Sequence, residues 1–321
     1  MDGSKPRVTV VVVPRERFLM SEESLESIVR HTSEDHELVY VDGNSPSNVR
    51  KYLEKRSREL GFRLIHSERY LAPNEARNLG LQTVTTPYVV FVDNDLIVTP
   101  GWLGTMLETA ERTGAWVVGP LYLEGDPADR IIHMAGGDME LAGPKPYASF
   151  TTDHRLQGVA MQDLERPLSA EPCGFVEFHC MLVRTSVFDE LGPLDEHLRN
   201  TREHLDLCLG VQAAGGEVWF EPAAEVTYST PPPLPSSDIP YFLLRWSESW
   251  TEQSLRHFCA KHGIDPAYAN RAKIIRQRRQ IVFQPARRVT RRLLGHRSDA
   301  ALGRALAAVE HRLNRALVRA S

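Results

Sequence analysis

The sequence lacks a long hydrophobic run. Its longest apolar stretch near the start is Val8 to Val13, within a chain of 321 residues. Six residues suit a strand and are too few for the core of a signal peptide or for a helix that crosses a bilayer. The absence favours a cytoplasmic protein.

Cysteine is also scarce. The four residues, Cys173, Cys180, Cys208 and Cys259, show no C-x-x-C spacing and form no dense framework. This count excludes a disulfide-stabilised scaffold, and we expect reduced thiols that are mostly buried. A hydrophobic content of 42% and a charged content of 25% are typical of a globular protein. The chain is long enough for one large α/β domain with additions, or for two domains.

Charge is unevenly distributed along the chain. From Asp265 onward there are 14 Lys and Arg against 3 Asp and Glu, a balance of +11. Because the net charge of the whole chain is −4, the residues before Asp265 carry a net charge of −15. Such a basic, helix-prone tail can bind an anionic membrane surface, pair two subunits in a homo-oligomer, or remain a solvated arm. Nucleic acid is disfavoured as a partner because aromatic stacking residues are scarce in the tail.

One stretch combines a buried strand with acidic residues. Residues 88 to 92, Y-V-V-F-V, form a β-branched and aromatic run typical of a strand inside a parallel sheet. Asp93, Asn94 and Asp95 follow directly. Open α/β sheets bind ligands at the carboxyl ends of their strands, and carboxylates suit a hard divalent cation that bridges phosphates. The alternative interpretation is a polar turn that leaves the strand.

This stretch resembles the strand and Asp-x-Asp signature of family-2 glycosyltransferases of the GT-A fold. Four further segments match in the expected order, so that the resemblance covers Val8 to Thr230. They are Val41 to Ser45 (V-D-G-N-S), Ala76 to Gly80 (A-R-N-L-G), Arg184 to Glu196 (with Phe188, Gly192 and Asp195), and Glu203 to Pro222. The resemblance implies an α/β fold of the GT-A, Rossmann-like type, with a mostly parallel central sheet flanked by helices.

The expected organisation has three parts. Residues 1–230 form the GT-A catalytic domain, residues 231–265 a Pro-rich linker and helical flap, and residues 266–321 a basic helical tail. The helix predicted from Tyr241 to His262 offers Phe242, Arg245, Trp246 and Trp250 either to an acceptor groove or to packing against the body. Residues 124–172 are expected to be an irregular loop or lid over the site.

The resemblance further implies a nucleotide-diphospho-sugar donor, most often a uridine one, a hydroxyl acceptor and a divalent metal, Mn2+ or Mg2+. Asp42 is implied to contact the base and Arg77 the diphosphate, while Asp95 holds the metal and Asp93 is shared between metal and ribose. Read from the residues alone, Asp42 can be an Asx turn, Arg77 a surface ion pair and His179 a structural histidine. The full set predicted to bind the donor is Pro14, Glu16, Asp42, Asn74, Arg77, Asp93, Asn94 and His179.

The catalytic prediction rests on a helix near residue 203. Glu203 and Asp206 stand three residues apart, which places both carboxylates on one helical face near the positive end. His204 replaces the acidic residue implied to be the base in inverting members, so Glu203, His204 and Asp206 are all candidates. Tyr228 replaces the metal-ligating His common in the family. Inversion is favoured; a retaining transferase, a non-catalytic sugar-nucleotide-binding protein and a simple helix-end charge pair are the alternatives.

A nucleotidyltransferase is a weaker interpretation. It shares the need for a metal and a phosphate pocket, but no glycine-rich basic loop that could cradle a nucleoside triphosphate lies near the first strand.

Overall fold

A computed structural model describes residues 5–229 and 234–272, together with isolated positions between 292 and 312. Residue 230, the first residues of the expected Pro-rich linker, 231–233, and most of the basic tail predicted for 266–321 lie outside the described residues.

Twelve strands and eight α-helices, with three short 3₁₀ helices, make up the described part of the chain. The strands are β1 (Val8–Val13), β2 (His36–Gly43), β3 (Arg63–Ser67), β4 (Tyr88–Asp93), β5 (Ile97–Val98), β6 (Val117–Gly125), β7 (Ile131–Met134), β8 (Gly137–Ala142), β9 (Ser149–His154), β10 (Glu171–Pro172), β11 (Cys180–Arg184) and β12 (Val218–Ser229). The helices are α1 (Ser21–His31), α2 (Ser47–Leu60), α3 (Pro73–Leu81), α4 (Trp102–Thr113), α5 (Val187–Leu191), α6 (Glu203–Ala213), α7 (Ile239–Arg245) and α8 (Glu248–His262). The 3₁₀ helices are Phe18–Met20, Met161–Asp163 and Pro266–Ala272.

The main sheet is mostly parallel, as the sequence predicts. Its strand order is β10-β12-β6-β11-β4-β1-β2-β3, with β5 beside β12 and β7 beside β6. Strands β3, β2, β1 and β4 run parallel, β6 and β12 run parallel to each other, and β11 lies antiparallel between β4 and β6. All six residues of β1 and of β4 are buried, which is the physical reason for their continuous apolar runs.

The register of β1 and β4 fixes the position of the acidic residues. Val13 pairs with Asp93, so both strands end at the same edge of the sheet. Helix α3 begins at this edge and packs closely against β1. A Cβ atom added at Gly80 would lie 2.3 Å from Val11 Cγ1, so only glycine permits this approach.

The expectation of an irregular loop over residues 124–172 is wrong. The segment contains β7, the two-stranded sheet of β8 and β9, and β10. The strands are short and partly exposed, and Gly136 and Gly143 adopt positive φ angles beside them, so the sequence shows breaks more clearly than strand periodicity. Strands β7 and β9 bring His133 and His154 within 5.8 Å of each other, ring centroid to ring centroid.

Helices α7 and α8 pack on the sheet domain. Leu255 and Phe258 of α8 belong to the main hydrophobic core, and the hydroxyl of Tyr241 in α7 lies 3.2 Å from the carbonyl oxygen of Leu71. Lys261 Nζ lies 2.9 Å from Asp195 and 2.8 Å from Asp206. The helices expected in a flap are therefore bound to the body through apolar and ionic contacts.

The structure bears on two features that the sequence has little of, cysteine and long apolar segments. All four cysteines are buried and unpaired, which confirms the prediction of free, structural thiols. Among the described residues, no helix combines the length and the apolar character needed to cross a bilayer.

Candidate functional site

A cleft of about 330 Å³ opens at the edge where β1 and β4 end and where α6 begins. Its volume lies at the lower end of the range for small-molecule sites. Polar and charged side chains dominate the lining, which consists of Arg15, Arg77, Glu177, Phe178, His179, Asn200, Thr201, Arg202, Glu203, His204, Arg245, Trp246 and Leu255.

Asp93 lies behind this lining, at the centre of a charged cluster. Arg15 Nη1 donates to Asp93 Oδ2 at 2.9 Å and Arg77 Nη2 donates to Oδ1 at 3.3 Å, while His179 Nδ1 lies 3.2 Å from Oδ2. Burial alone would raise the pKa of Asp93, but Arg15, His179 and Arg77 outweigh burial and lower the pKa to about 2. The carboxylate stays ionised and orients both guanidinium groups.

Arg77 reaches the cleft from the second turn of α3. Only 2% of its surface is exposed, its Nη1 donates to Asn74 Oδ1 at 3.1 Å, and its guanidinium carbon lies 4.0 Å from the centroid of the Phe178 ring. Ion pairing, hydrogen bonding and stacking together hold the guanidinium plane in one orientation. A fixed cation at a helix start is suited to an anionic ligand.

Asp95 is a buried carboxylate without a hydrogen-bond partner among the described residues. It is 2% exposed, and neither oxygen accepts a hydrogen bond from residues 5–229 or 234–272. Burial raises the pKa of Asp95 to about 8; Arg15 opposes this effect and Asp93 adds to it. Buried polar atoms in proteins are normally satisfied, so two unpaired carboxylate oxygens fit a site for a hard dication.

The start of α6 supplies two of the predicted catalytic residues. Arg202 precedes the helix in a left-handed conformation, with φ of 73°, and Glu203 is 5% exposed with Oε1 at 3.7 Å from Arg245 Nη2. His204 also lines the cleft. Burial lowers the pKa of His204 to about 3, against the opposing effect of Glu177, so its imidazole is neutral near pH 7 and is a weak base.

The third predicted catalytic residue, Asp206, does not line the cleft. Its carboxylate accepts hydrogen bonds from Lys261 Nζ at 2.8 Å and contacts His262 Nε2 at 2.7 Å. Although Glu203 and Asp206 are three residues apart on one helix, they have different partners. The structure brings Glu203 and His204 to the cleft and places Asp206 at the contact between α6 and α8.

Several residues predicted to bind the donor are buried and bonded within the protein. Asp42 Oδ1 accepts from the Ser45 N–H at 2.9 Å and Oδ2 lies 2.8 Å from His66 Nδ1, which is the Asx-type turn weighed above together with an ion pair. Asn94 Oδ1 accepts from the Arg15 N–H at 2.9 Å. Of the eight predicted donor contacts, Arg77 and His179 line the cleft, and those that do not are Pro14, Glu16, Asp42, Asn74, Asp93 and Asn94.

Two further arginines, Arg15 and Arg202, were not predicted as site residues, and a third, Arg245, was predicted only as one alternative for the helix from Tyr241 to His262. Arg15, Arg202 and Arg245 join Arg77 in the lining, so four guanidinium groups face the same cleft. Arg15 lies between Pro14 and Glu16, which are predicted donor contacts, and Arg202 directly precedes Glu203, so adjacency to predicted site residues is the signal that could have identified both. For Arg245 the structure agrees with the first of the two alternatives, a position in the cleft.

Both roles considered for the predicted helix from Tyr241 to His262, lining a groove and packing against the body, are found in the structure. Trp246 lines the cleft, whereas Phe242 and Trp250 are 1% and 3% exposed and pack inside the protein. Its side chains therefore serve both the cleft and the packing against the body.

Comparison with known proteins identifies the relationship. The family model described as "Glycosyl transferase family 2" matches residues 9–192. The N-acetylglucosaminyl-diphospho-decaprenol L-rhamnosyltransferase of Mycobacterium tuberculosis is 30% identical over 149 residues, which cover 44% of this chain and 46% of the relative. The matches span between 29% and 46% of the length of the curated relatives.

Two solved structures show the same fold. GalNAc-T7, in a crystal structure with UDP, GalNAc and Mn2+, superposes with a TM-score of 0.56 at 14% identity, covering 90% of this chain and 58% of that one. The mannosyltransferase PcManGT from Pyrobaculum calidifontis, in complex with GDP-Man and Mn2+, superposes with a TM-score of 0.51 at 14% identity, covering 98% and 86%. The predicted GT-A fold is confirmed.

Proposed function

The chain belongs to glycosyl transferase family 2, and on this premise we propose that it moves a sugar from a nucleoside-diphosphate sugar to an acceptor hydroxyl, with a divalent cation beside the donor. One observation carries the proposal. Asp95 is buried and has no hydrogen-bond partner in the part of the chain that the structure describes, and it lies directly beside Asp93 and the arginines that Asp93 orients. A cation bound to Asp95 and the guanidinium groups at the same edge of the sheet would together form a binding site for a diphosphate.

The donor diphosphate is proposed to lie against Arg77 and Arg15. Both are held by Asp93, so their positions are set before a ligand arrives and little ordering entropy is lost on binding. A uridine nucleotide is our first choice, and the two solved neighbours, with UDP and with GDP-Man, make a guanosine donor the second. The predicted contact between Asp42 and the base stays a prediction; its present partners are Ser45 and His66.

Asp95 is the residue proposed to hold the divalent cation, Mn2+ or Mg2+. Such an ion, when bound, offsets the negative charge that develops on the departing diphosphate. Asp93 is proposed to act through Arg15 and Arg77, because these two groups already occupy both of its oxygens. The ionised carboxylate thereby keeps the two guanidinium groups directed at the same phosphate position.

Glu203 is proposed as the general base. The acceptor oxygen attacks the anomeric carbon while its proton passes to the Glu203 carboxylate, and the bond from that carbon to the diphosphate oxygen breaks, which inverts the centre. Glu203 lies in the cleft near Arg245, whereas His204 is too weak a base and Asp206 lies at the α6–α8 contact. We therefore propose a structural role for Asp206 in place of the predicted catalytic one.

The acceptor class is a hydroxyl of a glycan, a lipid-linked sugar or a small molecule. The rhamnosyltransferase named above acts, by its name, on a diphospho-decaprenol-linked sugar, which motivates a lipid-linked acceptor for this chain as well. We propose a cytoplasmic protein whose basic tail contacts the inner face of the membrane, since 14 cationic residues from Asp265 onward can bind anionic lipid. Assembly of the chain into a homo-oligomer stays a prediction.

The proposal is tested by thermal melting and saturation-transfer experiments with uridine, guanosine and thymidine diphosphate sugars, with and without Mn2+. Stabilisation by one nucleotide series, dependent on Mn2+, and slow release of free sugar are expected. Flat melting curves across the panel would contradict the proposal. Donor binding without hydrolysis or transfer to any hydroxyl acceptor would support the non-catalytic binding protein instead.

A further inference from the structure

A second group of ligating side chains surrounds Glu177 in the wall of the cleft. His133 Nε2 lies 2.9 Å and His179 Nε2 lies 3.3 Å from Glu177 Oε2, and His154 Nε2 lies 3.4 Å from Glu177 Oε1. The side chains are largely buried, with exposed fractions between 7% for His179 and 25% for His154. Three imidazole nitrogens therefore converge on one carboxylate.

The opposite nitrogens of two of these rings face other carboxylates. His179 Nδ1 lies 3.2 Å from Asp93 Oδ2, and His133 Nδ1 lies 3.0 Å from Glu124 Oε2. A neutral imidazole has a single N–H and can donate to only one of two carboxylates. Both carboxylates that face one ring are satisfied only when the ring is an imidazolium or when a cation takes the place of the second proton.

We propose that His133, Glu177 and His179 bind a transition-metal dication, with His154 as a fourth ligand and with Asp93 and Glu124 orienting the rings from behind. The ligand atoms of the first three all lie within 4.8 Å of one another. Four ligands at about 2.0–2.1 Å around a tetrahedral ion are roughly 3.3 Å apart. This is close to the 2.9–3.4 Å that separate the three imidazole nitrogens from the Glu177 oxygens. Carboxylates that hold the distal nitrogens of histidine ligands are a common feature of metal sites.

The scaffold and the ligand chemistry distinguish this site from the one at Asp95. Its ligands come from β7, from β9 and from the segment before β11, all of which belong to or adjoin sheets. Three nitrogens and one carboxylate favour Zn2+ or Co2+, whereas the oxygens of Asp95 suit Mn2+ or Mg2+. Glu177 and His179 also line the cleft, so an ion held by them borders the same space as Glu203.

The chain also offers a matched control site. Asp195, His197 and His257 form a second histidine-carboxylate group, but Lys261 Nζ lies 2.9 Å from Asp195 Oδ2 and the His197 side chain is 80% exposed. A bound lysine already neutralises that carboxylate. We expect tight metal binding at Glu177 and none at Asp195.

The test uses the full chain without a histidine tag, treated with EDTA and then loaded with Co2+ or Zn2+. One ion per chain by mass spectrometry and the visible absorption of a tetrahedral Co2+ complex are expected. His133→Ala should abolish the absorption, and Glu124→Gln, a change at a more exposed side chain that spares folding, should weaken Co2+ binding about 10–100-fold. His197→Ala and Asp95→Asn should leave the spectrum unchanged.

Three results would overturn the proposal: no stoichiometric Co2+ in the native chain, an unchanged spectrum in folded His133→Ala, or loss of the spectrum in Asp95→Asn. The readouts are metal content and absorption, so they do not depend on the proposed glycosyl transfer.

Discussion

Replacement of Asp95 by asparagine separates the metal hypothesis from an ordinary structural role. The two side chains have nearly the same size, and Asp95 accepts no hydrogen bond from the described residues, so the change removes the carboxyl group that could ionise to bind a cation, without breaking a contact. If Asp95 were needed for the structure, this change would lower the stability of the protein. A side chain that is kept for a cation would not have this effect, because without metal the variant leaves no more buried polar atoms unpaired than the native chain does.

The expected magnitudes follow from these contacts. Without metal, Asp95→Asn should be at least as stable as the native chain, because an unpaired amide and an unpaired carboxyl each cost about 1–3 kcal/mol when buried. With Mn2+ at about 100 times its Kd, the native chain should gain about 2.7 kcal/mol, or roughly 5–10 °C in Tm for a domain of this size. The variant should gain nothing.

Thermal melts in EDTA, in Mn2+ and in Mn2+ with UDP provide the measurement. Asp153→Asn removes the same charge from an exposed position and should keep the full Mn2+ shift, as should His133→Ala. An equal Mn2+ shift in native and Asp95→Asn protein would refute the assignment of the cation to Asp95. A large loss of stability in EDTA would show instead that Asp95 has a structural partner.

Three other perturbations test the base, the packing and the ionic contacts. Glu203→Gln should leave the donor Kd within roughly twofold but lower the transfer rate about 10²–10⁴-fold in a product assay; equal turnover would exclude Glu203 as the base. Gly80→Ala should lower the free energy of unfolding by about 1–3 kcal/mol in denaturant titrations. Gly210→Ala, whose added methyl group meets one side-chain atom at 3.2 Å, is its control and should be nearly neutral. For Asp195, burial raises the pKa but the hydrogen bond from His257 contributes to a net lowering. Its stabilisation is therefore present above pH 3.8 and is lost as the pH falls through the lower folded-state value, so the stability gap between native protein and Asp195→Asn should narrow from pH 6 to pH 3.

The sheet and the edge that carries the site were predictable from local sequence. The apolar runs of β1 and β4 have the length of strands and no helical periodicity, so their burial in a parallel sheet follows from composition alone. Polar residues that directly follow such strands must emerge at the same edge. In the structure Asp93 ends β4 at this edge, and its Oδ1 lies 3.3 Å from Arg77 Nη2.

Contacts between distant segments were not predictable in this way. Asp206 has helical spacing from Glu203, but its partners Lys261 and His262 are more than 50 residues away, and only the docking of α8 selects them. The same applies to the ring of histidines around Glu177, which depends on strands that the sequence pattern concealed. Local spacing gives the face of a helix, whereas tertiary packing decides what that face meets.

The cleft is assembled from both sides of the boundary of the family match. The matched residues, 9–192, supply Arg15, Arg77 and the segment from Glu177 to His179, while the proposed base and Arg245 come from later residues. Arg245 lies on α7 and its Nη2 is 3.7 Å from Glu203 Oε1, so the packing of α7 sets the charge around the proposed base. Diphosphate binding is therefore expected to depend on the shared part of the family, and acceptor choice on the residues beyond it.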